Sequence, residues 1–151
     1  MIGFIKGDIL LAQTQAIVNP VNTVGVMGKG LALAFKNKYP NMYETYKHMR
    51  IDKKFNIGTL YIYKTDSIPE YIINLPTKTE FRLPSRLDYI EQGVYKLAQY
   101  IRHKNIRSIT IPALGCGCGK LRWTDVQEIL ITILQPLTDV DIQIILPHKE
   151  N

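Results

Sequence analysis

Ser108-Ile-Thr-Ile-Pro-Ala-Leu-Gly-Cys-Gly-Cys-Gly119 is the stretch on which the reading of the fold turns. After Ser108 its next six residues are apolar or β-branched on both alternating faces, the pattern of a strand buried on both sides. The strand runs directly into Gly115-Cys-Gly117-Cys-Gly119, where the backbone can turn sharply and approach a ligand closely. Downstream, Thr124 opens a predicted helix to about residue 137, and residues 142–146 form a predicted final strand. Upstream, residues 86–104 place Leu87, Ile90, Val94, Leu97, Tyr100 and Ile101 every three or four positions, which predicts a long helix capped by Ser85. Helix, strand, helix, strand is the signature of a sheet covered by helices on both faces.

The first half fits the same scheme. Two short apolar runs, residues 2–5 and 16–18, predict strands. Gly25-Val-Met-Gly28-Lys-Gly30 then precedes a predicted helix that Pro40 closes, and Asn41 is placed to cap a second helix to about residue 50, with Met42, Tyr46 and Met49 on one face. Residues 58–64 and 71–75 have the aromatic and β-branched content of two paired strands. Lys36, Lys38 and the Lys53-Lys54 pair read as solvated faces, and Trp123 as a core residue behind the second glycine loop.

The 151 residues, 46% of them hydrophobic, suffice for one domain spanning 1–151 with a core of its own. A formal net charge of +6 favours anionic partners, nucleotide phosphates or a nucleic-acid backbone among them. Cys116 and Cys118 are too close together for an ordinary disulfide and too few for a structural zinc site, which points to a reducing cytoplasm and to no metal. No apolar run approaches the roughly 18 to 20 residues that cross a bilayer, and the opening residues, interrupted by Lys6 and Asp8, are unlike a secretory signal.

Each glycine cluster lies where α/β sheets hold phosphates, at a strand end or a helix start, where free N–H groups meet phosphate oxygens. Neither cluster has the Walker A pattern or the full Gly-x-Gly-x-x-Gly fingerprint. Alone, each is equally a tight turn.

Together, Gly7-Asp8-Ile9, Ala16-Ile-Val-Asn-Pro-Val-Asn22, the first glycine loop, and Ile111-Pro-Ala-Leu-Gly-Cys-Gly117 with Trp123 behind it resemble the macro domain family of ADP-ribose binders over essentially the whole chain. Val-Asn-Thr-Val-Gly-Val-Met-Gly-Lys-Gly, residues 21–30, is especially similar to the DarG type, which removes ADP-ribose from DNA thymidine. The resemblance implies a three-layer α/β/α fold with a central mixed sheet and no cofactor. It also implies a binding site made of Asp8, Ile9, Asn22, Val26, Met27, Gly28, Lys29, Gly30, Thr77, Gly115, Cys116, Gly117, Cys118 and Gly119. In it, Asp8 reads the adenine amino group beside the Ile9 backbone, Asn22 meets the distal ribose, and the two glycine loops grip the diphosphate. Bare chemistry leaves Asp8 as a turn or cap acid and Asn22 as a turn residue, and either role is compatible with ligand contact.

Lys78, in Asn74-Leu-Pro-Thr-Lys78-Thr-Glu80-Phe-Arg82, is by itself a surface charge. The resemblance makes it the catalytic lysine, which follows a strand in DarG-type glycohydrolases. A desolvated amine acts on an anomeric carbon as a nucleophile, or serves as a general acid or base. A related deADP-ribosylase pairs its lysine with an aspartate in the second glycine loop, whereas this chain has Gly119 there. Arg82 and Arg86 nearby are equally suited to a DNA path or an ordinary charged loop. Cysteine catalysis is disfavoured, because none of the three histidines lies near Cys116 or Cys118 in sequence. The implied partners are ADP-ribose or ADP-ribosylated DNA, and a DarT-type ADP-ribosyltransferase toxin. A phosphatase or deacylase acting on free ADP-ribose derivatives and a non-catalytic ADP-ribose reader would share the same pocket.

Overall fold

The structure is a computed structural model that describes residues 1–51, 55–80 and 82–148. The Lys53-Lys54 pair therefore lies outside the described residues. In chain order the elements are β1 (Ile2–Ile5), a 3-10 turn (Ile9–Leu11), β2 (Ala16–Asn22), α1 (Gly30–Lys38), α2 (Pro40–Ile51), β3 (Tyr61–Lys64), β4 (Tyr71–Lys78), α3 (Leu87–Lys104), β5 (Ser108–Ile111), α4 (Trp123–Leu134) and β6 (Asp141–Ile145). The strands form one sheet in the order β1-β6-β5-β2-β4-β3, parallel throughout except for the antiparallel edge strand β3.

Strand alternation divides the interior into two layers. Ala16 and Val18 of β2, with Ile73 and Leu75 of β4, face a cluster completed by Ile90, Val94 and Leu97 of α3 and by Val126 and Leu130 of α4. Ile17 and Ile72 face the other way, into a cluster with Phe35 of α1 and Met42 and Tyr46 of α2. The three-layer α/β/α arrangement with a mixed sheet follows. Trp123, only 4% exposed, opens α4 and meets the Phe4 ring edge-on, which is the core role expected of it.

Several expected boundaries are corrected. Asn41 lies inside α2, because Pro40 ends the approach from α1 and begins the next helix, a position where its missing N–H costs nothing. β4 continues past Leu75 through Pro76 to Lys78, since β2 on its other side supplies a full-length partner. Ser85 does not cap α3. The N-cap position is Arg86, without a side-chain cap bond, and Ser85 is buried beside the second glycine loop.

Gly93 marks the tightest packing of helix on sheet, for a Cβ there would lie 2.6 Å from Leu75 Cδ2. Alanine improves helix propensity by about 1 kcal/mol, but overpacking a buried site costs about 1–3 kcal/mol. Gly93→Ala is therefore expected to lower unfolding stability by about 1 kcal/mol in a denaturant titration, against the direction that propensity alone dictates.

Candidate functional site

The parallel strands β2, β4 and β5 end on the same edge of the sheet, and β2 lies between the other two. After β2 the chain passes to the α1/α2 face, and after β5 it passes to the α3/α4 face. Adjacent strands whose continuations leave to opposite faces open a crevice at their carboxyl ends, the place where open α/β sheets bind ligands. The two glycine loops form its walls.

The first loop is held by Asn22, which is 5% exposed. Its Nδ2 donates to the Val26 carbonyl at 2.7 Å, and its Oδ1 accepts from the N–H groups of Val24 at 3.1 Å and Val26 at 3.3 Å. The fully buried Tyr46 hydroxyl donates to Asn22 Oδ1 at 2.8 Å and to its carbonyl at 2.5 Å. Burial pushes the Tyr46 phenol above its ordinary pKa, so it remains a donor. Asn22 thus spends its side-chain oxygen and one amide hydrogen on the loop, leaving one N–H for a ligand. Tyr46→Phe removes the hydroxyl bond while Asn22 Oδ1 keeps its two N–H donors, at an expected cost of about 1 kcal/mol in thermal unfolding.

Beyond this loop α1 begins at Gly30, and its N-cap residue Lys29 makes no side-chain cap bond. The first-turn N–H groups of a helix have no intrahelical partner, and here they face the crevice with the dipole's positive end. Gly30 has φ +62°, and a Cβ on it would lie 3.1 Å from Cys118 Sγ. The two loops therefore meet across the crevice with no room for a side chain between them. In the second loop, Cys116, Lys120 and Leu121 return their N–H groups to the carbonyls of Ala113, Gly117 and Gly115. Among the described residues, the consecutive N–H groups of Gly117, Cys118 and Gly119 are given to no backbone carbonyl, a nest suited to an anion.

Lys78 stands opposite Asn22 in the β2–β4 register. The pairing passes from Val21↔Pro76 to Asn22↔Lys78, so Thr77 is an extra residue in a bulge, and bulges re-aim the side chains beside them. Thr77 itself is 3% exposed. Thr23 Oγ1 donates to the Thr79 carbonyl at 2.9 Å and fastens the segment after Lys78 to the first loop. Burial tends to raise the pKa of Glu80, but hydrogen bonds from Arg82 and the charges of Arg82 and Lys78 outweigh it and hold the carboxyl below its ordinary range. Glu80 is an anion within reach of the Lys78 charge.

The other expected site residues divide by exposure. Gly28, Lys29, Gly117 and Cys118 are exposed at the crevice, and Val26 is half-buried. Met27 and Cys116 have buried side chains, 0% and 3% exposed, so it is their backbone that is available to a ligand. Burial raises the Cys116 thiol to about 11, which keeps it protonated and unreactive. Gly115, also buried, has φ +73° and turns the chain out of β5. Asp8 is exposed and caps the 3-10 turn, its Oδ1 accepting from the Leu10 N–H at 2.9 Å. Ile9 packs into the cluster of Val21 and Met27, and Lys38 donates to the Leu10 carbonyl at 2.7 Å, so this segment is anchored on the first-loop side.

Tyr46, Thr23 and Ser85 escaped the sequence reading as site residues. Tyr46 carried only a helical apolar period, Ser85 only the signal of a helix cap, and Thr23 none, because their partners are distant in sequence. A separate hollow lined by Arg102, Asn105, Arg107 and Asp139 lies at the opposite end of the sheet. Among the described residues no group of three His, Cys, Asp or Glu is arranged to hold a metal ion, and no helix is long and apolar enough to cross a membrane.

Comparison with known proteins gives one consistent answer. The family model described as Macro domain matches residues 18–130. A Mycobacterium tuberculosis protein named DNA ADP-ribosyl glycohydrolase is 46% identical over 143 residues, covering 93% of this chain and 41% of that protein. The chain thus spans about two fifths of the length of the curated relatives it matches first. The solved macrodomain of Mycobacterium tuberculosis DarG is similar with a TM-score of 0.94 and 44% identity, covering 97% of this chain and 98% of that one. Thermosipho africanus DarTG, solved in complex with ADP-ribose, is similar with a TM-score of 0.91 and 31% identity over 99% of this chain and 42% of that one.

Proposed function

Since this chain belongs to the macro domain family, we propose that it binds ADP-ribose and removes it from thymidine in DNA, reversing a mark set by a DarT-type transferase in the cytoplasm. The observation that carries the proposal is the register of Lys78 against Asn22 at the carboxyl end of the sheet. It sets the backbone of a lysine beside the residue that shapes the first glycine loop, at the edge of the crevice. The uncapped start of α1 and the nest at 117–119 hold the diphosphate, Asp8 and the Ile9 backbone hold the adenine, and the remaining Asn22 N–H meets the distal ribose. Hydrolysis breaks the bond from the anomeric carbon to the base, joins that carbon to a water oxygen, and returns a proton to the base. Lys78 serves as the nucleophile through an opened sugar or as the group that moves the proton.

The test offers the protein three substrates and measures release: an oligonucleotide bearing ADP-ribosyl-thymidine, ADP-ribose-1″-phosphate, and an O-acyl-ADP-ribose. Release from the oligonucleotide is the expected result. Turnover of only the phosphate or acyl compound would replace the proposal with a phosphatase or deacylase. Tight ADP-ribose binding without turnover of any would leave a reader.

A further inference from the structure

The helices that start around the crevice begin against the usual rule. N-cap positions favour Ser, Thr, Asp and Asn, and cations belong at helix C-termini, where α3 carries Arg102, His103 and Lys104. Yet the N-cap residues of α1, α3 and α4 are Lys29, Arg86 and Arg122, and none makes a side-chain cap bond. All three helices follow parallel strands and start on the same edge of the sheet. A cation at the positive end of a helix dipole is locally unfavourable, so its repetition on one edge calls for an anion held among these ends. The diphosphate accounts for α1. Arg86 and Arg122 lie outside the diphosphate loops and remain to be explained.

Their placement supplies the reason. The Ser85 N–H donates to the Gly119 carbonyl at 3.0 Å, joining the segment after Lys78 to the second glycine loop. Arg86 and Lys120 follow directly on either side of that bond, and Arg122 is two residues further on. Ser85, 4% exposed, lies in this seam with a buried hydroxyl that has no hydrogen-bond partner. On the outer side of the seam Arg82 and Arg86 have side chains 78% and 64% exposed. Glu80 at 3.0 Å and Asp88 at 2.9 Å orient the two guanidinium groups. Around the starts of α1, α3 and α4 the cations Lys29, Lys78, Arg82, Arg86, Lys120 and Arg122 outnumber Glu80, Asp88 and Asp125 two to one. Between the arginines Leu83 is 51% exposed, an apolar surface within a basic one.

We infer that Arg82, Arg86, Lys120 and Arg122 form a strand-binding rim that contacts the phosphodiesters flanking the modified nucleotide, with Leu83 against a neighbouring base. The inference rests on the DNA reading above and deepens it. A base attached to the distal ribose leaves the crevice past Lys78, and the strand that carries it then crosses this seam. A positively charged track combined with apolar contact is the chemistry of single-strand recognition.

The experiment uses the Arg86→Gln/Arg122→Gln double variant, which leaves Asp88 in the first turn of α3, where an acid is favourable. Two substrates are compared: the ADP-ribosyl-thymidine mononucleoside, and an oligonucleotide of about ten nucleotides carrying the same modification centrally. For the oligonucleotide, KM is expected to rise about tenfold with kcat unchanged, and the slope of log(kcat/KM) against log salt to flatten by about 1.4, or about 0.7 for each lost phosphate contact. Turnover of the mononucleoside and affinity for ADP-ribose stay at the wild-type level. If the variant handles both substrates as the wild type does, or loses both equally, the rim is overturned while the proposed function stands. If the wild type releases ADP-ribose from neither substrate, the DNA reading fails and the rim falls with it.

Discussion

Lys78→Ala is expected to reduce release of ADP-ribose from modified DNA by about 10²–10⁴-fold, the range for loss of a group that moves a proton in the transition state, while ADP-ribose binding stays within a fewfold of the wild type. The separation of the two effects comes from the site's construction. In the proposed binding mode the groups that grip the nucleotide are backbone N–H groups of the loops and the start of α1, together with Asp8 and Asn22. Lys78 reaches the site from β4, held by its register with Asn22, the bulge at Thr77 and the bond from Thr23 to the Thr79 carbonyl. Removing its side chain leaves those backbone constraints in place. Single-turnover release from the oligonucleotide, with ADP-ribose titrated calorimetrically into the same variant, measures both quantities. Lys78→Arg is a stricter comparison, because guanidinium keeps the charge but neither attacks carbon nor gives up a proton near neutral pH. It is expected to be as inactive as the alanine variant. Release at the wild-type rate by either variant would remove Lys78 from the mechanism.

Gly119→Ala is expected to weaken ADP-ribose binding by about ten- to a hundredfold, or about 1.4–2.8 kcal/mol, and to lower stability as well. Gly119 is not at a positive φ, so the demand for glycine here is for space. A Cβ would lie 2.5 Å from the Gly115 carbonyl oxygen, 2.8 Å from Gly115 Cα, and against Ser85 Oγ. Two of these neighbours are backbone atoms of the same loop, so relief requires the nest at 117–119 to open. An aspartate here meets the same obstruction, which gives a steric reason for the absence of a lysine and aspartate pair in this chain. Calorimetric titration with ADP-ribose, alongside a thermal melt, distinguishes a reshaped loop from general unfolding. Wild-type affinity in this variant would show that the loop does not hold the diphosphate in the conformation described.

Much of this site was legible from residue order. Glycine clusters after a strand and before a helix report themselves through composition, and the alternation of helix and strand in the second half specifies covered strands, because burial on both faces needs apolar residues at every position. The same local signals erred where a distant partner decided the outcome. β4 runs on through Pro76 because β2 supplies a neighbour along its whole length. Ser85 looked like a cap, the usual use of serine before a helix, but is held under the second loop by Gly119. The burial of the Met27 and Cys116 side chains was likewise set by packing and not by the glycine motifs in which they stand.

The sequence by itself determined the family, the two glycine-rich turns and the chemical types available to the site, because these depend on short-range pattern and on residue identity. Only the tertiary structure decided that Lys78 stands opposite Asn22 across 56 positions of chain, that Tyr46 braces the first loop, and that three basic helix starts share one edge of the sheet. The reason is strand order. β2 pairs with β4 and β5 rather than with its neighbours in sequence, and that choice is made by packing two hydrophobic layers on opposite faces of one sheet, which no local pattern records.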